Sequence, residues 1–197
     1  MKTMRTAFVS SVVVAFCGLG LSQEQSPREK LLSSPRNLKM WSLFKESAVL
    51  PIDNADTEIY RISFVPTFAN PIAIRVQKQQ SEIVLIAKRL SGMNGQDLGV
   101  LKTEKKKTLR EKEWNRLLDL LKEAQFWDLP FLEKQPEPNE RGEETICVDG
   151  SDWTIEGVKQ GHYHVVSRYC PDSEQFEAIG LYLAKLSDLS VKERELY

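Results

Sequence analysis

Residues 72–88 read IAIRVQKQQSEIVLIAK, two apolar, β-rich runs separated by a short polar turn. Ile72–Gln77 alternates between apolar and polar side chains, whereas Ile83–Lys88 is apolar on both sides until its end. Consecutive strands joined by a short turn pair antiparallel. We therefore expect this stretch to form a β-hairpin and the sheet around it to be antiparallel.

Similar β-rich runs occur on both sides of this hairpin. The further predicted strands are Ile59–Val65, Leu98–Lys107, Glu144–Val148, Trp153–Val158 and His162–Tyr169. The turns between the last three strands carry Asp-Gly and Gln-Gly pairs, which suit tight hairpins. The sequence predicts about seven antiparallel strands.

Two amphipathic helices are predicted, one after the fourth strand and one after the last. The expected N-cap pairs are Thr108 with Glu111 in the first helix and Asp172 with Gln175 in the second. The apolar stripes comprise Trp114, Leu117, Leu118, Leu121 and Ala124 in the first helix and Phe176, Ile179, Leu183 and Leu186 in the second. Gly180 would allow close approach to the sheet. The order β-β-β-β-α-β-β-β-α predicts an α+β fold with both helices on one face.

Residues 1–22 have the pattern of a secretory signal peptide. Lys2 and Arg5 give a positive start, residues 7–16 form an apolar run, and small residues precede a predicted cut before Gln23. The apolar run is too short to span a bilayer, which takes ~20 residues. We expect export to the periplasm or the medium and no transmembrane span in the mature chain.

The sequence contains three cysteines, which bear on lipid anchoring and on disulfide formation. A lipoprotein cut before Cys17 would anchor the chain, but the bulky Phe16 fits that peptidase poorly, so this alternative is less favoured. Export favours a disulfide between Cys147 and Cys170. However, the predicted register puts them two strands apart, ~9.6 Å, beyond the ~6.8 Å that a disulfide tolerates. Either Cys170 leaves the ladder to form the bond, or both remain thiols.

The domain organisation follows from these patterns. Residues 23–56 are proline-rich and are expected to form a flexible or irregular tether, with a short helix at Leu38–Phe44 that places Leu38, Trp41 and Phe44 on one side. Residues 57–190 are predicted to form a single α+β domain, and residues 191–197 a C-terminal tail.

Charge and motifs exclude several classes of function. Without Lys2 and Arg5 the chain has 25 basic and 28 acidic residues, a net charge near −3, which argues against nucleic acid as a partner. The sequence contains no phosphate-binding loop, dinucleotide fingerprint or nucleophile elbow. We expect no cofactor and assign no catalytic residue.

The two histidines form an H-x-H pair, His162 and His164. On a strand they share a face and could offer two imidazoles to Zn²⁺ or Cu²⁺, with Asp149, Asp152 or Glu156 as the third ligand. A stable site needs three or four ligands at defined spacing, so we favour two solvent-facing histidines and predict no metal.

The tryptophans and the lysine-rich run are expected to have structural roles. Trp114, Trp127 and Trp153 are expected in the core rather than on a ligand platform. The basic run at 102–107 is expected to protect an edge strand from aggregation, although it could also bind an acidic partner.

The C-terminal half resembles a group of uncharacterised bacterial exported proteins. The likeness lies in D-G-x-x-W-x-x-E-G at 149–157 and G-x-Y-H-V-V-x-R at 161–168, extends over about residues 59–189, and implies no known activity. The resemblance points to a functional face at Asp149, Trp153, Glu156, Tyr163, His164 and Arg168. Because neighbouring strand residues point to opposite faces, Tyr163 and His164 cannot line one surface.

The preferred functional hypothesis is an exported, non-enzymatic module that binds a protein or envelope component. The alternative is a hydrolase or metal-dependent enzyme that uses His162 or His164 with nearby carboxylates. A third possibility is a structural assembly subunit that uses the lysine-rich edge at 102–107.

Overall fold

A computed structural model describes residues 26–47, 57–93, 97–132, 147 and 149–197. This part of the chain contains one antiparallel sheet in the order β4-β3-β2-β1-β5-β6. The strands are β1 (Thr57–Pro66), β2 (Ile72–Gln79), β3 (Glu82–Leu90), β4 (Leu101–Thr108), β5 (Ser151–Lys159) and β6 (His162–Tyr169). The helices are α1 (Pro27–Leu32), α2 (Pro35–Phe44), α3 (Glu111–Glu123) and α4 (Glu174–Leu186). The predicted α+β class and antiparallel sheet are confirmed.

The strand count is six across the described residues, so the prediction of about seven was wrong. In a meander, Glu144–Val148 would pair with β5. Instead β5 pairs with β6 on one side and with β1 on the other, where Phe64 lies opposite Trp153. Both hydrogen-bonding edges of β5 are therefore already paired with other strands. Of the predicted extra strand only Cys147 is described, and it lies outside any strand.

Helices α3 and α4 pack on one face of the sheet, as predicted. Trp114, Leu117 and Leu121 of α3 and Ile179 and Leu183 of α4 are buried in the main core. Alternate residues of the central strands point toward them and complete this core, including Tyr60, Ile62 and Phe64 of β1 and Ile72, Ile74 and Val76 of β2.

Helices α1 and α2 lie on the other face, where the prediction placed no helix. They belong to residues 23–56, which were expected to form a tether with a short helix at Leu38–Phe44, and α2 contains that predicted helix. Pro35 occupies the first turn of α2, where its missing N–H removes no hydrogen bond, and Ser34 caps the helix by accepting the Asn37 N–H. Helices α1 and α2 thus begin at prolines, Pro27 and Pro35, which do not break them. Trp41 and Phe44 are buried, but Leu38, expected beside Trp41, is 57% exposed.

The C-terminal residues, expected to be a tail, are part of the packed structure. A single 3-10 turn covers Glu193–Glu195, and Leu196 is buried in the main core. The Leu196 carbonyl accepts the indole N–H of Trp153 at 2.8 Å.

Some predictions fall outside this description. The expected signal peptide at 1–22, including Cys17, lies outside the described residues. Within the described residues, no helix combines the length and the apolar character that crossing a bilayer requires.

Candidate functional site

The two cysteines are joined by a disulfide, with their Cα atoms 6.4 Å apart. The predicted obstacle does not arise, because neither cysteine lies in a strand. Cys170 directly follows β6, where its N–H still donates to the Ser151 carbonyl of β5, and its backbone is left-handed (φ 53°), unlike that of a strand residue. The neighbouring Gly150 has no room for a side chain, since an added Cβ would overlap Sγ of Cys170. Asp149 is exposed in this disulfide-linked turn and also has a left-handed backbone (φ 63°).

Trp153 is a core residue, as expected from the sequence, and does not belong to the functional face to which the resemblance pointed. Its ring is fully buried and meets the Phe64 ring edge-on at 4.7 Å. The ring also lies directly against Gly180 of α4, where an added Cβ would be 2.9 Å from Cε3 of Trp153. The close approach expected at Gly180 is thus confirmed, and Trp153 offers no surface to a ligand.

Glu156 lies on the opposite face, beneath α2. Its Oε2 accepts a hydrogen bond from Nε of Arg61 at 2.7 Å, and its Oε1 accepts the Tyr163 hydroxyl at 2.8 Å. The Arg61 guanidinium lies 3.5 Å from the Trp41 ring centroid and donates to the Ser47 carbonyl. Burial and the adjacent Glu156 raise the pKa of Tyr163.

The polar network on this face continues toward β3. Glu46, just after α2, accepts hydrogen bonds from Arg75 at 2.9 Å and from Lys88 at 2.6 Å. These contacts attach the N-terminal helices to the sheet. The carboxylates of Glu46 and Glu156 are therefore engaged in structural ion pairs.

His164 lies on the face that carries α3 and α4, against the rings of Phe126 and Trp127. Its Nε2 is buried and has no hydrogen-bond partner among the described residues. Burial disfavours the imidazolium and lowers the pKa of His164. His162 is exposed. In the described part of the chain, no three His, Cys, Asp or Glu side chains come together in a group able to hold a metal ion.

Arg168 organises the chain after α3. Its guanidinium donates to the carbonyls of Pro130 and Phe131 at 3.1–3.2 Å. The same segment covers part of the β6 edge, where the Ser167 N–H donates to the Phe131 carbonyl. Arg168 thus holds a connecting segment rather than a free surface.

The residues selected by resemblance do not converge. Trp153, His164 and Arg168 point toward α3 and α4, whereas Glu156 points toward α2 and Asp149 lies in a turn. Tyr163 and His164 lie on opposite faces of the sheet, as strand alternation predicts. Most of these side chains stabilise the fold.

A depression that was not predicted from the sequence lies at one end of the sheet. It has a volume of about 310 Å³ and lies between the β1–β2 loop, the end of β3 and the C-terminal segment. Its lining includes Phe68, Met93 and Tyr197, together with Arg89, Arg194 and Glu195. We call it the Arg89 depression. One signal was available, since Phe68 is an aromatic residue in a polar, proline-bracketed loop.

Exposed apolar side chains cluster around the Arg89 depression. Seven large hydrophobic residues are exposed in the described chain, and three of them, Phe68, Met93 and Tyr197, line this depression. Two arginines and one glutamate are the charged side chains of its lining. An apolar rim with a few charged groups is typical of ligand-binding surfaces.

A second, wider depression of about 760 Å³ lies beside α3. Trp127 and Leu118 contribute apolar surface, but the charged lining is balanced between Asp119 and Asp128 on one side and Lys122 and Lys159 on the other. It offers no charge preference for a ligand.

The lysine-rich run lies on β4, an edge strand of the sheet. Lys102, Lys105 and Lys106 are exposed, and Lys107 pairs with Asp188 at 2.9 Å. This position agrees with the prediction of a lysine-protected edge.

No protein-family model matches the chain, and a search of curated protein sequences finds no significant match. The resemblance to uncharacterised bacterial exported proteins therefore stays a prediction.

Proposed function

We propose that the chain is an exported, non-enzymatic binding module that recognises a protein or envelope component through the Arg89 depression. The clustering of Phe68, Met93 and Tyr197 around one concave surface carries this proposal. Exposed large apolar side chains are normally scattered singly over a protein, and a group of them marks an interaction site.

The placement of the reactive side chains supports binding over catalysis. Glu156 is engaged by Arg61 and Tyr163, and Glu46 by Arg75 and Lys88. A general acid or base must reach a substrate proton, and these carboxylates are already bound by structural partners.

The alternative is an enzyme that uses His162 or His164. One observation favours it: Nε2 of His164 is buried and finds no hydrogen-bond partner in the described part of the chain. Stoichiometric metal in protein purified from the periplasm without chelators, lost in the variant His162→Ala/His164→Ala, would support this alternative and contradict the binding proposal.

Site-specific cross-linking tests the binding proposal. The photo-reactive residue benzoylphenylalanine replaces Phe68 in one variant and Leu132, which is 50% exposed beside β6, in a control. In bacterial cells that express the full chain, we expect a discrete adduct from position 68 and none from position 132.

Two further variants identify what the adduct depends on. It should persist with His162→Ala/His164→Ala and should weaken with Tyr197→Ser, which removes part of the apolar rim. Equal adducts from both cross-linker positions, or none from position 68, would contradict the proposal. Fractionation of the same cells tests export, which requires the processed chain outside the cytoplasm.

A further inference from the structure

Strand β4 forms one edge of the sheet, and its outer side is unpaired among the described residues. It is the terminal strand in the sheet order, and it pairs with β3 on its inner side. No backbone hydrogen bond from a described turn or loop reaches its outer side. The opposite edge is partly covered, since the Ser167 N–H of β6 donates to the Phe131 carbonyl. A free edge presents N–H and C=O groups that can pair with a further strand.

The side chains of β4 give this edge a positive charge. The strand has four lysines and one glutamate, Glu104. Lys107 pairs with Asp188 at 2.9 Å. The three other lysines, all exposed, are Lys102, Lys105 and Lys106. None of these three forms an ion pair with a described carboxylate. When both carboxylates are counted, β4 and its ion-pair partner keep an excess of two positive charges.

The exposed lysines project from both faces of the sheet. Lys105 lies opposite Ala87, a residue of the main core, and so points to the face that carries α3 and α4. Lys106 points to the other face, because side chains alternate along a strand. A flat anionic surface laid on either face of the sheet would meet only one of these ammonium groups. A strand laid along the edge would meet both, since directly opposite residues share a face.

We propose that β4 binds an extended acidic segment of another protein, which joins the sheet as an additional antiparallel strand. Backbone hydrogen bonds would supply affinity, and carboxylates opposite Lys105 and Lys106 would supply specificity. The lysines that protect the edge against other strands thus select an acidic one.

A second copy of the chain fits this edge less well. Two β4 strands side by side would bring lysines next to lysines, which is unfavourable. The other edge strand, β6, contains no acidic residue. The proposal is also independent of the Arg89 depression, because the residues that line the depression do not belong to β4.

The test uses a peptide matched to the eight residues of β4. In antiparallel pairing, the sequence Thr-Val-Glu-Glu-Lys-Thr-Glu-Val places glutamates opposite Lys106, Lys105 and Lys102 and a lysine opposite Glu104. Binding of the dye-labelled peptide to the full chain is measured by fluorescence anisotropy. The charge-reversed peptide Thr-Val-Lys-Lys-Glu-Thr-Lys-Val should bind at least ~10-fold more weakly, because opposite-charge pairs become like-charge pairs.

Two N-methylated forms of the acidic peptide test the backbone pairing. Alternate N–H groups of a strand point to the same side, so methylation of one alternate set removes the donors that face β4. We expect one methylated peptide to bind at least ~10-fold more weakly and the other to bind within ~3-fold of the parent. Hydrogen exchange of the β4 amides should slow when the parent peptide is bound.

Variants assign the charge contribution to this edge. Lys105→Gln/Lys106→Gln should weaken the parent peptide about 2–30-fold, because two cross-strand charge pairs are lost. The matched control is Lys112→Gln/Lys122→Gln, at two exposed lysines of α3, and should change binding by less than ~2-fold. Thermal unfolding checks each variant, and the methylated peptides decide if Lys105→Gln/Lys106→Gln does not fold. The cross-linking adduct from position 68 should be unaffected by Lys105→Gln/Lys106→Gln, so the two proposals can fail separately.

Three results with the peptides would overturn the inference: equal binding of the two charge forms, equal binding of the two methylated forms, or no binding of the parent at millimolar concentration. Tighter binding to phosphatidylglycerol vesicles than to the peptide, lost in Lys105→Gln/Lys106→Gln, would assign the edge to a membrane and also overturn it. Protection of the β4 amides that rises with the concentration of the chain alone would assign the edge to a second copy, with the same consequence.

Discussion

At the scale of single residues, Arg61 and Glu156 form the most deeply buried ion pair of the described residues. Their side chains are 1% and 3% exposed. The two residues are 95 positions apart in the chain, and nothing in either local segment indicates the other. Their pairing is a product of the β1–β5 register, which places Arg61 directly opposite Glu156.

Glu156→Gln should lower the free energy of unfolding by about 3–5 kcal/mol, because it leaves the Arg61 guanidinium buried without a counter-charge. Urea unfolding measures this loss. Glu123→Gln is the control, since it breaks an exposed pair with Arg116 and should change stability by less than ~1 kcal/mol. Equal losses in the two variants would contradict a buried, desolvated pair.

His164 should make stability depend on pH. Burial lowers the pKa of this imidazole in the folded state, so between that value and the unfolded value of ~6.5 the unfolded chain binds more protons. Stability is then full above about pH 6.5 and falls as the pH drops through the folded pKa.

The measurement compares urea midpoints at pH 7.5 and pH 5.0. The loss on acidification should be smaller in His164→Phe than in the natural chain, while His162→Gln, at an exposed position, should keep the natural loss. An unchanged loss in His164→Phe would show that the imidazole does not contribute.

At the scale of elements, periodicity predicted helices and strands better than their ends. Thr108 was expected to cap α3, but β4 extends to Thr108, opposite Val84, so the helix begins later. Arg110 takes the N-cap position, and the Glu113 carboxylate accepts its backbone N–H at 2.9 Å. The sheet register therefore overrode a local capping signal.

Helix α2 was predicted only in part, as a short helix at Leu38–Phe44, and its packing on the sheet was not predicted. Its prolines suggested an irregular chain, and its hydrophobic face is short. It forms because Trp41 covers Arg61 and because Phe44 packs with Ala73 and Leu90 on the sheet. Tertiary contacts stabilise a helix of ten residues that would be marginal alone.

Phe44→Ala should therefore destabilise the whole domain by about 3–5 kcal/mol, since this ring is fully buried. Leu38→Ala, on the exposed side of the same helix, should change stability by less than ~0.5 kcal/mol. Chemical denaturation of both variants measures the difference. If α2 did not pack on the sheet, both substitutions would change the free energy of unfolding by small and similar amounts.

At the scale of the whole molecule, the disulfide links the chain before β5 to the end of β6. It closes a loop with a sequence separation of 23. Chain-entropy arguments give about 3 kcal/mol for a loop of this size. The predicted export and the even number of cysteines after the predicted signal peptide favoured the bond, and the position of Cys170 just after the end of β6 made it geometrically possible.

Cys147→Ser/Cys170→Ser should lower the free energy of unfolding by about 2–4 kcal/mol. Dithiothreitol should bring the natural chain to the same value and should not affect the double variant. Thiol labelling with mass spectrometry checks the redox state. A natural chain that labels at both cysteines before reduction would contradict the bond.

The Arg89 depression is also a whole-molecule feature. Phe68, Arg89 and Tyr197 come from three separate segments of the chain, and of the three only Phe68, an aromatic residue in a polar loop, is unusual within its own segment. The residues that sequence resemblance selected, such as Trp153 and Arg168, are instead engaged in the core and in holding a loop.

The sequence by itself determined the α+β class, the β2–β3 and β5–β6 hairpins and the buried stripes of α3 and α4, because alternation and 3.6-residue periodicity record which side of each element avoids water. Only the tertiary structure decided that β1 pairs with β5, that α1 and α2 cover the second face, and that a depression forms around Arg89. Periodicity specifies burial but not the partner, and the partner depends on contacts between segments that are far apart in the chain.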